Sequence, residues 1–380
     1  MSNIAARIYA DLKGDKAIWA VMVLLGIFSI LAVYSASATW LLAYKRDGNT
    51  EFYLFKHAGI LAVGFLLAYL GHLLHYMKYN KWSPVLLVIS VPLLVLTIFY
   101  GVEINDARRW ISIPYTGLTF QPSDLAKLAL ILYVARSLTS KQEYIKDFNS
   151  AFLPIIMPVL IICSLIAPAD LSTAILLFVT CLFMMFVGRV SLQYIGLLLF
   201  LGVVAFALLY ALGDIYPDFV RSATWVRRLR DFVENPNDVH QQVIQAKMAI
   251  ANGEWFGLGP GNSIQRNFLY ASHSDFIYAI IVEEYGIIGG AFLIFLYVFL
   301  LFRVTRMVTK SPKAFGAMVA MGLSMLLVIQ AFVNIAVAVN LVPVTGLTLP
   351  MISQGGTSIV FTCISFGIIL SVSKYIDASS

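Results

Sequence analysis

The feature that most constrains this chain is a run of roughly 18 or more consecutive apolar residues, long enough to cross about 30 Å of hydrocarbon, repeated along the whole sequence. The runs occupy 17–38, 53–74, 83–101, 121–138, 151–167, 169–188, 191–212, 275–302, 314–340 and 355–373. They are continuously apolar and do not alternate with a period of two, so a membrane β-barrel is excluded. Of the 380 residues, 60% are hydrophobic and only 12% charged, too few charges to cover a soluble domain of this length. The expected fold is all-α and polytopic, with ten transmembrane helices in a single domain spanning 1–380.

A net charge of +6 in a soluble protein would point to nucleic acid. In a membrane chain it points instead to basic loops facing the cytoplasm and anionic lipid, with no nucleic acid partner. Placing the N-terminus inside collects Arg7, Lys13, Lys16, Lys78, Lys81, Arg136, Lys141, Lys146, Arg189, Arg303, Arg306, Lys310, Lys313 and Lys374 on one side. The short loops opposite keep only Lys45, Arg46, Lys56, Arg108 and Arg109, so both termini are expected in the cytoplasm. Ser35-Ala36-Ser37-Ala38 resembles a signal-peptide cleavage site. The apolar run before it exceeds the usual h-region of roughly 7–15 residues, so it is read as an uncleaved first span. Cys163, Cys181 and Cys363 lie within apolar runs and read as small buried hydrophobes.

One large loop, 213–274, then falls outside. It is expected to carry an amphipathic helix from a cap near Asn237 or Asp238 to Ala251, with Gly253 past its end. Val239, Val243, Ala246 and Ile250 share one face, and Gln242 and Gln245 point elsewhere. Such a helix would lie on the membrane surface or over the mouth of the bundle.

Four polar groups are unexplained by the membrane, all near its outer side. Asp124 and Lys127 are three residues apart on one helical face, where they form either a structural ion pair or a cavity-facing one. Asp170, in a short turn after Pro168, either caps the next helix or faces a cavity. Arg227, Arg228 and Arg230 suit phosphate or carboxylate, or else make a solvated basic face. In the stretch 253–290, Gly257, Gly259 and Gly261 form a GxGxG without the strand or spacing of a dinucleotide loop, and are read as tight packing positions. Asp275 stands at the loop–span seam, with Glu283 eight residues on. There it serves either as a helix cap or as a partly shielded acid able to take a proton.

Together, Gln121-Pro-Ser-Asp-x-x-Lys127, Pro168-x-Asp170, Gln242-x-x-Gln245, Gly257-x-Gly259-x-Gly261-Asn-Ser-x-Gln265, Ser274-Asp-Phe-Ile277 and Leu349-Pro-x-x-Ser-x-Gly-Gly356 closely resemble the SEDS family of bacterial shape, elongation, division and sporulation proteins. Tyr278-Ala-Ile-Ile-x-Glu-Glu284 and Pro343-Val-Thr-Gly346 look closer to the division branch (FtsW) than to the elongation branch (RodA). The resemblance implies a peptidoglycan glycosyltransferase in the bacterial cytoplasmic membrane that polymerises lipid II at its outer face during septal synthesis. It implies Asp275 as catalytic residue, and a class B penicillin-binding transpeptidase and other divisome proteins as partners.

On that reading Arg109, Arg227, Arg228, Gln242, Gln245, Gln265 and Asp170 are expected to bind lipid II or the growing glycan strand. Asp124 and Lys127 pair, where the family usually has Glu and Lys. Gln354-Gly-Gly replaces the family's Tyr-Gly-Gly, so no role passes from that tyrosine. No dedicated metal cage is expected, although Mg²⁺ or Mn²⁺ could arrive with the substrate pyrophosphate. The competing readings are a lipid II flippase and a non-catalytic scaffold for the transpeptidase.

Overall fold

The computed structural model describes residues 13–37, 50–104, 107–113, 118–213, 232, 241–269, 273–311 and 313–377. The described residues form a helical bundle. Its elements are α1 (Lys16–Ser37), α2 (Thr50–Leu73), α3 (Tyr76–Tyr100), β1 (Val102–Ile104), β2 (Ala107–Ile113), β3 (Leu118–Phe120) and α4 (Pro122–Ser140). They continue with α5 (Leu153–Ile166), α6 (Leu171–Val187), α7 (Leu192–Gly213), α8 (Gln241–Gly253), α9 (Ile277–Val308), α10 (Ala314–Ala338) and α11 (Thr357–Asp377). Every apolar run read from the sequence coincides with a helix. Seven of the described helical spans are long and apolar enough to cross a membrane, and two apolar helices, Leu171–Val187 and Leu192–Leu208, are shorter. The protein is a multi-pass membrane protein.

Small residues set the closest helix approach. Cβ atoms added at Gly64 and Gly367 would lie 2.7 Å from Cys363 Sγ and 2.4 Å from the Ala68 carbonyl, respectively. Gly64 and Ala68 of α2 therefore let the α11 backbone come into direct contact, as packing between membrane helices favours. The other faces of α2 and α3 carry exposed Phe55, Val63, Leu66, Val85, Val88 and Phe99, suited to lipid.

Two features sharpen the sequence expectation. First, the short stretch between α3 and α4 is a three-stranded antiparallel sheet in the order β1-β2-β3. It pairs Glu103 with Arg108 and Ile111 with Phe120. Second, of the two placements open to the loop helix, α8 takes the one packed on the bundle. Val243, Ala246 and Ala249 pack on Phe276, Ala279 and Ile280 beside α9, and on Val337 of α10. At its end, a Cβ on Gly253 would fall 2.1 Å from the Val282 carbonyl, so the backbones touch. The residues Asn237, Asp238 and Val239 lie outside those described.

The loop after α8 meets a break in α9. Gly286 has φ 70° and ψ −177° inside that helix, a conformation left to glycine. The groups freed by the break find partners in the loop. Leu258 N–H donates to Glu283 O (2.9 Å), Gly259 N–H to Glu284 O (3.0 Å), Ile287 N–H to Glu254 O (2.9 Å) and Ile288 N–H to Trp255 O (3.4 Å). In hydrocarbon an open backbone group is costly, so irregular backbone survives there only when matched in this way.

The adjacent acids complete the join. The buried Glu283 carboxylate accepts from Ser263 Oγ, Gln265 N (3.2 Å) and Asn252 Nδ2 (3.3 Å). Glu284 accepts from Ser35 Oγ of α1 and from Ser263 N (3.4 Å). Arg266 Nη1 also donates to the Ser35 carbonyl (3.3 Å), which builds the first helix into the bundle.

Candidate active site

The site forms at the bundle end where α4, α6, α9 and α11 begin. Asp275 sits in the turn before α9, one residue ahead of the cap position Phe276. That turn is stitched to the loop 340–356. Asn334 Nδ2 donates to the carbonyls of Asp275 (2.9 Å) and Leu347 (2.7 Å). Ser353 Oγ donates to the Ser274 carbonyl (2.6 Å) and accepts from Leu349 N (2.8 Å). Gln354 N–H donates to the His273 carbonyl (2.9 Å). The Asp275 backbone is thus held from two sides, as a reacting carboxylate requires.

Gly346 of that loop takes φ +75°, and a Cβ there would be 3.9 Å from both Asp275 Oδ2 and Arg109 Nη1. The carboxylate and the guanidinium therefore both approach the open side of this glycine. Arg109 is delivered by β2 and fixed by two bonds, Nη1 to Asp170 Oδ2 (3.1 Å) and Nε to the Ala169 carbonyl (2.9 Å). Asp170 fills both roles open to it in the sequence. It caps α6 by accepting from Thr173 N (3.1 Å) and lines a cleft, where it also orients the arginine. Beside this pair is a cleft of about 290 Å³ lined by Leu94, Ile98, Leu165 and Ile166 on its apolar wall. Thr97, Arg108, Arg109, Ser123 and Asp170 supply its polar wall.

Asp124 and Lys127 form a buried pair at 2.8 Å in the first turns of α4. Thr357 Oγ1, at the start of α11, lies 3.5 Å from Asp124 Oδ2 and accepts from Gln121 N (3.3 Å). This pair joins α4 to the helix that follows the 340–356 loop. Burial lowers the pKa of His273, beside Asp275, from its ordinary value.

The other expected site residues fall elsewhere. Gln265 is buried and hydrogen-bonds through its backbone to Glu283. Gln242 and Gln245 are half-buried on α8, flanking its packed face. Arg227 and Arg228 lie outside the described residues. Among the described residues no group of three or more His, Cys, Asp or Glu could hold a metal. Sequence reasoning did not find the roles of Asn334, Ser353 and Gly346. Ser353 and Gly346 belonged to quoted motifs, but nothing in those motifs says which backbone they hold.

A polytopic helical bundle with a carboxylate and an anchored guanidinium meeting beside one glycine at one end describes a class of membrane protein with polar chemistry at the water boundary. A model described as "Cell cycle protein", FTSW_RODA_SPOVE, matches residues 15–378, and the chain belongs to this FtsW/RodA/SpoVE family. Stage V sporulation protein E of Bacillus subtilis (strain 168) is 34% identical over 375 residues, covering 95% of this chain and 97% of that protein. A probable peptidoglycan glycosyltransferase FtsW of Geobacter sp. (strain M18) is 33% identical over 366 residues, covering 94% and 96%.

Two solved structures share the fold. A chain from the work described as "Structural coordination of polymerization and crosslinking by a peptidoglycan synthase complex" superposes with a TM-score of 0.74 at 26% identity, over 96% of this chain and 98% of that one. The rod shape determining protein RodA of Thermus thermophilus gives a TM-score of 0.67 at 25% identity, over 95% and 96%.

Proposed function

We propose that this chain is a peptidoglycan glycosyltransferase that polymerises lipid II, working in septal cell-wall synthesis. The observation that carries the reading is the convergence of the Asp275 carboxylate and the Arg109 guanidinium beside Gly346, in a family with relatives named for this activity. The site then lies at the outer face of the bacterial cytoplasmic membrane, with both termini inside.

In this reaction an acceptor sugar hydroxyl attacks the anomeric carbon of a lipid-linked donor. The new C–O bond forms as the bond to undecaprenyl pyrophosphate breaks. Asp275 takes the hydroxyl proton as general base, and its stitched backbone fixes the direction of approach. Arg109 steadies the leaving pyrophosphate. Its contacts to Asp170 and Ala169 use only part of the guanidinium, so the remaining donors can reach an anion. Arg227 and Arg228 are further candidates for that charge, and Gln242, Gln245 and Gln265 for sugar contacts. The described side chains do not by themselves fit a metal, and no step here runs through one. A Mg²⁺ or Mn²⁺ ion would have to be carried by pyrophosphate oxygens. A class B penicillin-binding transpeptidase is the proposed partner, alongside other divisome proteins, in keeping with the synthase complex that shares the fold.

The test is glycan chain formation from lipid II by the purified protein with its transpeptidase, for wild type and Asp275→Asn. Polymer from wild type alone, with both proteins equally folded, is the expected result. Polymer from both would remove Asp275 as the base. Polymer from neither would transfer weight to lipid II translocation or scaffolding, and a vesicle transport assay would then decide between them.

A further inference from the structure

At the bundle end opposite Asp275, the turn between α2 and α3, the turn between α9 and α10 and the end of α11 converge on His75. Its ring is stacked on Tyr76 with centroids 4.9 Å apart, and its centroid is 4.0 Å from that of Tyr375. Lys374 Nζ lies 5.5 Å from the centroid of the Tyr375 ring. His75 Nδ1 accepts from Met77 N (3.1 Å) and so caps α3, which leaves Nε2 to carry the hydrogen of the neutral ring. Gly316, three residues after Lys313, is packed so closely that an added Cβ would sit 3.2 Å from Tyr76. Lys78, one turn into α3, donates its N–H to the His75 carbonyl (2.8 Å), and burial, then Lys313, Lys78 and Lys374, lower the His75 pKa.

We propose that His75, Lys78, Lys313 and Lys374 form a binding site for the phosphate of an anionic phospholipid headgroup. The charge and the Nε2–H donor account for a phosphate, and the position accounts for the lipid. Leu73 and Trp82 are exposed on the α2 and α3 surfaces beside the cluster, at the ends of spans Leu54–Leu73 and Met77–Tyr100. A headgroup held by the lysines would lay its acyl chains along that apolar surface. Basic pockets between spans bind acidic headgroups in this way. This site is independent of the chemistry at Asp275.

The test is native mass spectrometry of the full chain released from mixed micelles containing phosphatidylglycerol and phosphatidylcholine. Wild type should retain phosphatidylglycerol preferentially, each lysine contributing roughly fivefold and three together on the order of a hundredfold. The K78Q/K313Q/K374Q variant should lose that preference, and K78R/K313R/K374R should keep it. Should the triple glutamine variant not be recovered folded, the single changes decide, each with its own loss of about fivefold. A control at the same bundle end, K141Q/K146Q/R306Q, should retain the preference. Equal retention of the two lipids by wild type would overturn the site, and so would loss of preference in the control to the same degree. Displacement of the lipid by millimolar inorganic phosphate would show a soluble-anion site and also overturn it.

Discussion

Replacing Gly286 by alanine tests the join between the loop and the broken helix. A Cβ at that position would lie 2.2 Å from the Trp255 oxygen and 2.5 Å from the Phe256 nitrogen. Both are backbone atoms with no rotamer to yield, so the loop must retreat by on the order of 1 Å to reach van der Waals separation. That movement stretches the four bonds from Leu258, Gly259, Ile287 and Ile288, three of them now 2.9–3.0 Å, past useful length. At a net value of about 1 kcal/mol each, the bonds account for about 4 kcal/mol. The glycine-only conformation adds a further ~1–3 kcal/mol.

Gly286→Ala should therefore lower stability by roughly 5 kcal/mol, measured by reversible unfolding in mixed micelles with Trp255 emission as local probe. Gly257→Ala strikes the same contact from the other side, since its Cβ would lie 2.2 Å from the Glu284 oxygen. Once the strands have parted, the second substitution meets little resistance. The double variant should be about as unstable as either single one. A Gly286→Ala protein within about 1 kcal/mol of wild type, or an additive double variant, would refute the reasoning.

Three further outcomes are expected. Asp124→Ala alone should cost about 3–5 kcal/mol by leaving Lys127 charged and buried, whereas Asp124→Ala with Lys127→Met should recover most of it; denaturant titration of both checks this. Asp170→Asn should free Arg109 and lower kcat more than it raises the KM for lipid II, read from initial polymerisation rates. His273 has a folded pKa below its ordinary 6.5, so below about pH 6.5 the unfolded chain binds the extra proton and stability falls as pH is lowered. His273→Gln should flatten that decline in a thermal melt series from pH 7.5 to 5.5.

The bundle was legible because hydrocarbon imposes length and composition on each span, and those can be read off directly. Boundaries were less so. Helix α3 starts at Tyr76, well before the apolar run at 83, because Tyr76–Trp82 is helical but suited to the water boundary. The break at Gly286 left no trace in hydropathy. No proline marks it, the acids at 283 and 284 do not locate it, and only the loop's backbone explains it. The acids at 283 and 284 showed the same limit. By spacing, Glu283 shares a face with Asp275, yet the structure turns both glutamates to the loop and to α1. The pairing of Arg109 with Asp170 joins residues from a sheet and a helix turn far apart in sequence, a contact no local pattern encodes. Asp275 was singled out by its seam position and its motif, and the geometry adds what meets it beside Gly346.

The matched backbone of residues 254–259 and 283–288 bears on how the protein is made. The loop is synthesised first, and its amides at Leu258 and Gly259 have no helix carbonyl to meet until α9 follows. Before then, the glycine-rich stretch must stay in water, and α9 cannot adopt its broken shape in lipid without it. Insertion of the eighth apolar run and docking of the loop are thus one cooperative event. Amide exchange should report them as a single opening unit, with Leu258, Gly259, Ile287 and Ile288 becoming accessible together.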